Sequence, residues 1–257
     1  MLGVMADRSA IQWTDATWNP VTGCTKISPG CRFCYAERLT ERFGRGSFTT
    51  IRLHPDRLGL PVRWRSPRRI FVNSMSDLFH EHVPDNFIAR VIDTARVAPQ
   101  HVYQILTKRA DRMVAWTRTR AEPLPPNVWL GVSVESMRVA WRVDRLREAD
   151  VRVRFVSAEP LLGSLRGLDL QGIAWLITGG ESAGTPSRAL VERSGQRWRP
   201  KPEAVQWLRE LRDACRAAGV AFFHKQWGGI AQDGCLTAGS GARCLISRTA
   251  SAARRRR

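Results

Sequence analysis

Short apolar runs rich in β-branched and aromatic residues alternate along the chain with longer stretches in which apolar residues recur every three or four positions. This alternation of strand-like and helix-like segments favours an α/β fold with a mainly parallel sheet over a β-sandwich. The predicted strands cover residues 17–21, 70–74, 102–107, 128–134, 153–158, 174–178 and 220–225. The predicted helices cover residues 35–43, 85–97, 109–117, 137–149 and 202–218.

This order of elements predicts a partial, irregular (β/α) TIM-like barrel of about six or seven mainly parallel strands. Only fifteen residues, 159–173, separate the fifth predicted strand from the sixth, so we expect no full crossover helix there. The length of 257 residues suits one such domain. We place it at residues 1–230, with a basic insertion at 44–69 and a Gly-, Ala- and Arg-rich tail at 231–257 that is disordered at its end.

Polar residues follow the ends of several predicted strands. In a (β/α) barrel the carboxyl ends of the strands converge on the catalytic face. Any one of these residues alone could instead cap a helix or hold a loop by hydrogen bonds, but their recurrence after so many strands indicates a site. The candidate catalytic residues chosen on this basis are Glu135, Glu159, Glu181 and Lys225.

Three cysteines form a C-x6-C-x2-C cluster at Cys24, Cys31 and Cys34. The close C-x2-C pair, in a chain without an export signal, favours metal binding over disulfides. A structural zinc site closes with four protein ligands, whereas a [4Fe–4S] cluster held by three cysteines leaves one iron open. A zinc site would need a fourth ligand, for which the candidates are His54, His80, Cys235 and Cys244. Cys215 shares an apolar helical stripe and is expected in the core.

Further short motifs surround the cysteines over roughly residues 10–230. They are Trp13-Thr14-Asp15, Thr17-Trp18-Asn19-Pro20, Tyr35-Ala36-Glu37, Asn73-Ser74-Met75-Ser76-Asp77-Leu78-Phe79, Leu106-Thr107-Lys108-Arg109, Ser157-Ala158-Glu159-Pro160-Leu161-Leu162, Gly179-Gly180-Glu181-Ser182 and Lys225-Gln226-Trp227-Gly228. With these motifs the chain resembles a phage-associated three-Cys-motif protein family of unassigned function. The cysteine run, whose last cysteine follows Phe33, also resembles that of the radical S-adenosylmethionine (SAM) superfamily, although the usual spacing there is C-x3-C-x2-C.

The resemblance implies an enzyme that cleaves SAM to methionine and a 5′-deoxyadenosyl radical, with a [4Fe–4S] cluster on the three cysteines. It implies that the segment from Ser74 to Asp77 contacts the methionyl amine of SAM and that Ser133 or Glu135 approaches its ribose. It also implies that Phe33 packs on adenine and that Gly179 and Gly180 let the backbone approach adenine or substrate. The alternatives are a core position for the phenylalanine and a tight turn for the glycines.

The formal net charge is +18, and the tail arginines Arg248 and Arg254–Arg257 contribute only five of these charges. Such an excess favours a DNA or RNA partner, unless it reflects a generally arginine-rich composition. We therefore expect a nucleobase as substrate first, and a peptide or small metabolite second. A partner protein or reductase is expected as well. No apolar run reaches membrane-span length, so a cytoplasmic location is expected.

A second function remains open at this point. The cysteines would then only support the fold of a non-catalytic, metal-stabilised nucleic-acid-binding phage protein, with zinc or an iron–sulfur cluster. A fourth ligand close to the three cysteines would favour this alternative, and the sequence shows no obvious one.

Overall fold

The computed structural model describes residues 5–6, 9, 11–44, 46–181, 190–194 and 197–228. The strands are β1 (Met5–Ala6), β2 (Ala16–Trp18), β3 (Val21–Thr22), β4 (Arg52–Leu53), β5 (Arg69–Val72), β6 (Val102–Thr107), β7 (Val128–Ser133), β8 (Val153–Ala158), β9 (Trp175–Gly179), β10 (Val191–Ser194), β11 (Arg197–Pro200) and β12 (Ala221–Gln226). The helices are α1 (Tyr35–Arg42), α2 (Asp85–Val97), α3 (Ala110–Arg118), α4 (Trp141–Glu148) and α5 (Pro202–Ala217).

The main sheet has the strand order β1-β2-β5-β6-β7-β8-β9-β12. Strand β1 pairs antiparallel with β2, and the other seven strands form the parallel part of a curled half-barrel. The predicted fold class, a partial (β/α) barrel of about seven mainly parallel strands, is confirmed. The described residues between β8 and β9 contain no helix, so the expectation of a missing crossover helix is confirmed too.

The chain divides into two compact units. The first unit consists of the described residues within the ranges 1–27, 35–132 and 144–154. Strand register places Thr17, Phe71, Gln104 and Trp129 in one row across β2, β5, β6 and β7, and alternate positions such as Ile70, Tyr103 and Val128 occupy the other face. The fully buried side chains of Trp18, Tyr103, Ile70 and Ile88 form the core of this unit.

The second unit consists of the described residues within the ranges 28–34, 133–143 and 155–228. Here β9 pairs in parallel with both β8 and β12. Helix α5 buries Leu208, Leu211 and Cys215. Burial raises the pKa of the Cys215 thiol to about 12. The expectation that Cys215 is a core residue is confirmed.

Two predicted elements were wrong in detail. The predicted strand 17–21 is two strands, because Pro20 cannot donate a ladder hydrogen bond and β3 pairs with β4 instead of continuing β2. The predicted helix 137–149 begins as a 3-10 turn, Met137–Val139, before α4. Strands β10 and β11, which were not among the predicted strands, pair antiparallel with each other.

The basic insertion at residues 44–69 belongs to the first unit and packs within it. The indole N–H of Trp18 donates to the carbonyl of Arg57 at 2.9 Å, and the Arg57 guanidinium donates to the carbonyl of Asn19 at 3.1 Å. A ring nitrogen of His101 lies 3.0 Å from the carbonyl of Pro61. These contacts hold the insertion in place at its two 3-10 turns, Pro55–Arg57 and Pro61–Arg63.

Several sequence predictions fall outside the described residues. They concern Cys235, Cys244 and the tail at residues 231–257. Among the helices that the structure describes, none is long and apolar enough to cross a membrane.

Candidate metal and cofactor site

The three clustered cysteines occupy different local structures. Cys24 follows β3, Cys31 ends the 3-10 turn Pro29–Cys31, and Cys34 directly precedes α1. None of the three forms a disulfide, and all three are of intermediate exposure. Gly23 precedes the first of them with φ at +93°, and a Cβ there would lie 2.1 Å from a backbone oxygen, so this turn requires glycine.

No group of three or more His, Cys, Asp or Glu side chains is already arranged to hold a metal ion anywhere in the described ranges. The donor chemistry of the cysteine segment nevertheless fits an iron–sulfur cluster, since its three thiols are outside any disulfide and partly accessible. Thiolates are the ligands that such clusters take.

Arg109, which follows β6, donates to the sulfur of Cys24. Its Nη1 lies 3.5 Å from Cys24 Sγ and 3.4 Å from Asp77 Oδ2. Its Nη2 donates to the carbonyl and the hydroxyl of Thr25, at 3.2 and 2.9 Å, and its Nε donates to Glu81 at 3.1 Å. Burial disfavours the charge of this guanidinium, but Asp77 and Cys24 outweigh that effect and raise the pKa of Arg109.

The Asp77 carboxylate, a predicted SAM contact, fixes Arg109 in place. It accepts hydrogen bonds from the Thr107 hydroxyl at 2.7 and 2.9 Å, from the Lys108 N–H at 3.0 Å and from the Phe79 N–H at 3.0 Å. Only 8% of its side chain is exposed. Asp77 therefore joins the loop after β5 to the end of β6 in the first unit, and its oxygens are already occupied.

His80 is fully buried, and both of its ring nitrogens are engaged. Nδ1 accepts from the His82 N–H at 3.1 Å, which leaves Nε2 as the protonated nitrogen facing the Thr25 hydroxyl at 2.9 Å. Burial is the main cause of its lowered pKa. His54 is bound to the Thr22 hydroxyl at 2.8 Å. These contacts argue against both histidines as the fourth ligand of a zinc site.

Ser74 is held by Asn19, a residue that sequence reasoning did not single out. The Ser74 hydroxyl and the Met75 N–H lie 3.2 and 2.9 Å from Asn19 Oδ1. The hydroxyl of Tyr35 donates to the carbonyl of Ser74. Asn73, just before, has φ at +60° and accepts the Val21 N–H at 3.2 Å. The loop after β5 is thus preorganised.

In the second unit, Glu135 contacts the cysteine segment. Its Oε1 accepts the N–H of Gly30 at 3.3 Å, and its Oε2 accepts from Arg142 at 3.0 Å. Arg142 also donates to the carbonyl of Ser133 at 2.9 Å. Glu135 is 0% exposed. The structure therefore places this candidate catalytic residue as the buried partner of Arg142 and as a support for the turn that ends at Cys31.

The candidate residues Glu159 and Lys225 form an ion pair in the second unit. Lys225 Nζ lies 2.6 Å from Glu159 Oε1, with 17% and 14% of the two side chains exposed. Gln226 donates to the same oxygen at 3.3 Å and to the carbonyl of Gly180 at 2.6 Å. A Cβ at Gly179 would lie 3.2 Å from the Glu159 carboxyl carbon.

Gly180 and Glu181 follow directly in the chain. A Cβ at Gly180 would meet the backbone of Gly228 at 2.6 Å, so close backbone approach accounts for this glycine. Glu181 is buried. Phe33, a predicted adenine contact, is half-buried, and the Arg32 guanidinium lies 5.2 Å from its ring centroid.

Besides Asn19, two site residues were assigned no role from the sequence. Arg109 belongs to the Leu106-Thr107-Lys108-Arg109 motif, but no role was assigned to it. Arg142 lies on a predicted helix, and the sequence around it does not indicate that its side chain is buried against Glu135. Burial of a charged residue is visible only once its partner is known.

A family model described as "Protein of unknown function (DUF5131)" matches residues 8–256. No curated protein matches the sequence. Solved structures of spore photoproduct lyase are similar in fold, and two variants with single substitutions give TM-scores of 0.56 at 12% and 14% identity, covering 87% of this chain and 79% of theirs.

A further spore photoproduct lyase variant, solved with bound AdoMet and dinucleoside spore photoproduct, gives a TM-score of 0.51 at 12% identity. That match covers 83% of this chain and 76% of the lyase. Identities this low establish a shared fold alone.

Proposed function

We propose that this chain, which belongs to the DUF5131 family, is a radical SAM enzyme that modifies a nucleobase in DNA or RNA. The observation that carries the proposal is the combination of three partly accessible cysteines, none in a disulfide, in one short segment with the parallel half-barrel fold. That fold is shared with spore photoproduct lyase, a radical SAM enzyme. Phage association stays a prediction from the sequence.

Cys24, Cys31 and Cys34 would hold the [4Fe–4S] cluster. When bound, such a cluster supplies the electron needed to cleave SAM. The tasks left to the protein are to position the ligands, orient substrate and exclude water. Arg109 donates to the sulfur of Cys24, and Glu135 supports the backbone next to Cys31.

SAM would bind near the loop after β5, where Asn19 holds Ser74. Ser133, Gly179, Gly180 and Phe33 stay proposed cofactor contacts, with Ser133 at the carboxyl end of β7. The Glu159–Lys225 pair and Glu181 stay proposed catalytic groups. The pair would present an ammonium group and a carboxylate to polar groups of a substrate.

The nucleic-acid substrate is supported by the net charge of +18 and by the basic insertion. One structural neighbour was solved with a dinucleoside ligand, which is chemistry of the same class. Arg63 and Arg65 are exposed, whereas Arg69 is bound to Asp15 at 2.8 Å and Arg68 lies over the Trp64 ring at 4.8 Å. Arg63 and Arg65 are therefore exposed candidates for phosphate contacts.

Anaerobic purification followed by iron, sulfide and zinc analysis tests the proposal. We expect brown protein with about four irons per chain, lost in the variants Cys24→Ala, Cys31→Ala and Cys34→Ala. The control Cys215→Ala removes a buried thiol and should keep the iron. Colourless protein containing zinc, or full iron and sulfide in Cys31→Ala, would contradict the proposal and favour a metal-stabilised binding protein.

A further inference from the structure

We infer that Arg109 is a positioning residue that stabilises the reduced state of the metal cluster through its hydrogen bond to Cys24. The inference rests on the proposed function and adds to it a determinant of the cluster's redox behaviour. The contact joins Nη1 of Arg109 to Sγ of Cys24 at 3.5 Å, and both residues lie in the first compact unit.

The guanidinium is held so that this contact is fixed. Only 8% of the Arg109 side chain is exposed, and a buried guanidinium is tolerated only when its donors are satisfied. Nε is directed to Glu81, Nη2 to Thr25, and Nη1 to both Asp77 and the sulfur. The planar fork of arginine satisfies this set of acceptors, which the single ammonium of lysine would not.

The partners of Arg109 are fixed as well. Asp77 accepts from the Thr107 hydroxyl and from two backbone N–H groups, which leaves its carboxylate one orientation. A hydrogen bond from its own backbone N–H, together with Arg109, lowers the pKa of Glu81 to about 2, so this carboxylate is charged at neutral pH. Arg109 therefore stays where it is when the charge on the sulfur changes.

The sign of the effect follows from electrostatics. Reduction adds one negative charge to a cluster, part of which resides on the thiolate sulfurs. Hydrogen bonds to those sulfurs and a nearby positive charge favour the reduced state. Removing the guanidinium should therefore make the cluster harder to reduce.

The experiment is an EPR-monitored redox titration of the anaerobically reconstituted full chain. For Arg109→Gln we expect the reduction equilibrium to shift about tenfold toward the oxidised cluster. For a one-electron couple, this makes the reduction potential about 59 mV more negative. Arg109→Lys keeps the charge without the fork and should shift the potential in the same direction by less. The matched control is Arg118→Gln on α3, which removes the same charge at a position 64% exposed and should leave the potential unchanged.

The possible outcomes separate the two proposals. Wild-type protein without a cluster would overturn the proposed function, and the inference with it. A cluster-loaded Arg109→Gln protein with the wild-type potential and EPR signal would overturn only the inference. If Arg109→Gln fails to fold, as judged by circular dichroism, Arg109→Lys decides: a more negative potential supports the inference, and an unchanged potential contradicts it.

Discussion

The backbone N–H of Gly30 donates to the carboxylate of Glu135 at 3.3 Å, across 105 positions of sequence. The turn that carries Cys31 is thereby attached to the segment that follows β7. The same carboxylate is paired with Arg142 at 3.0 Å, and both side chains are almost fully buried. A fixed carboxylate holds this turn in the second unit, so Glu135 supports the backbone next to Cys31, which we propose as a metal ligand.

Substituting Gly30 with alanine should disturb this attachment. An alanine Cβ would lie 3.0 Å from the carboxyl carbon of Glu135, and the buried carboxylate has little room to move. We expect Gly30→Ala to lose about 1 kcal/mol of stability and to retain less iron than the wild type. Thermal unfolding and iron analysis check both points. Gly163→Ala is the control, since nothing lies within 4 Å of a Cβ there; equal iron content in the two variants would contradict the role of the Gly30 contact.

Neutralising Arg63 and Arg65 together should weaken nucleic-acid binding, because both arginines are exposed on the packed insertion. We expect the double variant with glutamine at both positions to bind with a weaker salt dependence. The slope of the logarithm of the binding constant against the logarithm of salt concentration should become shallower by about 0.7 to 0.9 for each lost phosphate contact. Titration of labelled single- and double-stranded oligonucleotides at several salt concentrations measures this slope.

The control for the arginine variant is Arg118→Gln combined with Arg147→Gln, which changes the net charge equally at residues paired with Glu148 and Asp144. Equal losses in both double variants would show that only the overall charge matters. Absent or salt-independent binding by the wild type would shift the substrate expectation to a peptide or small molecule.

The stability of the protein should fall as the pH drops below neutrality. Burial lowers the pKa of His224 to about 4, whereas it is about 6.5 in the unfolded chain. The unfolded chain therefore takes up this proton first, so the contribution is fully present above about pH 6.5 and is lost as the pH falls toward 4. At pH 5 the loss is on the order of 2 kcal/mol.

Denaturant unfolding at pH 7 and pH 5 measures this loss. The pKa values of His80, His101 and His54 are also lowered, with burial as the main cause, and they act in the same direction. We expect His224→Gln to show a smaller difference between the two pH values than the wild type. An unchanged difference in that variant would assign the acid sensitivity to other groups.

The strands and helices were predictable because their signal is local. The runs 102–107 and 153–158 are observed with the same bounds, since continuous β-rich apolar runs are typical of buried parallel strands. The strand predicted at 17–21 was wrong because Pro20 interrupts it. The residues after Pro20 form β3, which pairs with β4 in the distant insertion. Pairing across such a distance leaves no periodic signal.

The candidate site was predictable only as a set of residue types at strand ends. Because of their positions after strands, Asp77 was predicted as a SAM contact and Glu135 as a SAM contact or catalytic group. In the structure, their oxygens are engaged by Arg109 and Arg142 respectively. Whether a carboxylate is exposed to a ligand or buried in an ion pair depends on which cation the fold brings to it. That cation lies 32 positions away for Asp77 and 7 for Glu135, and neither spacing is a motif.

The most direct measurement is the fate of SAM. Cluster-loaded protein, reduced with dithionite under anaerobic conditions and mixed with SAM, should form 5′-deoxyadenosine and methionine, slowly even without substrate, and Cys31→Ala should form neither. Chromatography of the reaction gives both products. A protein that carries the full cluster yet neither binds nor cleaves SAM would contradict the assignment of this chain as a radical SAM enzyme.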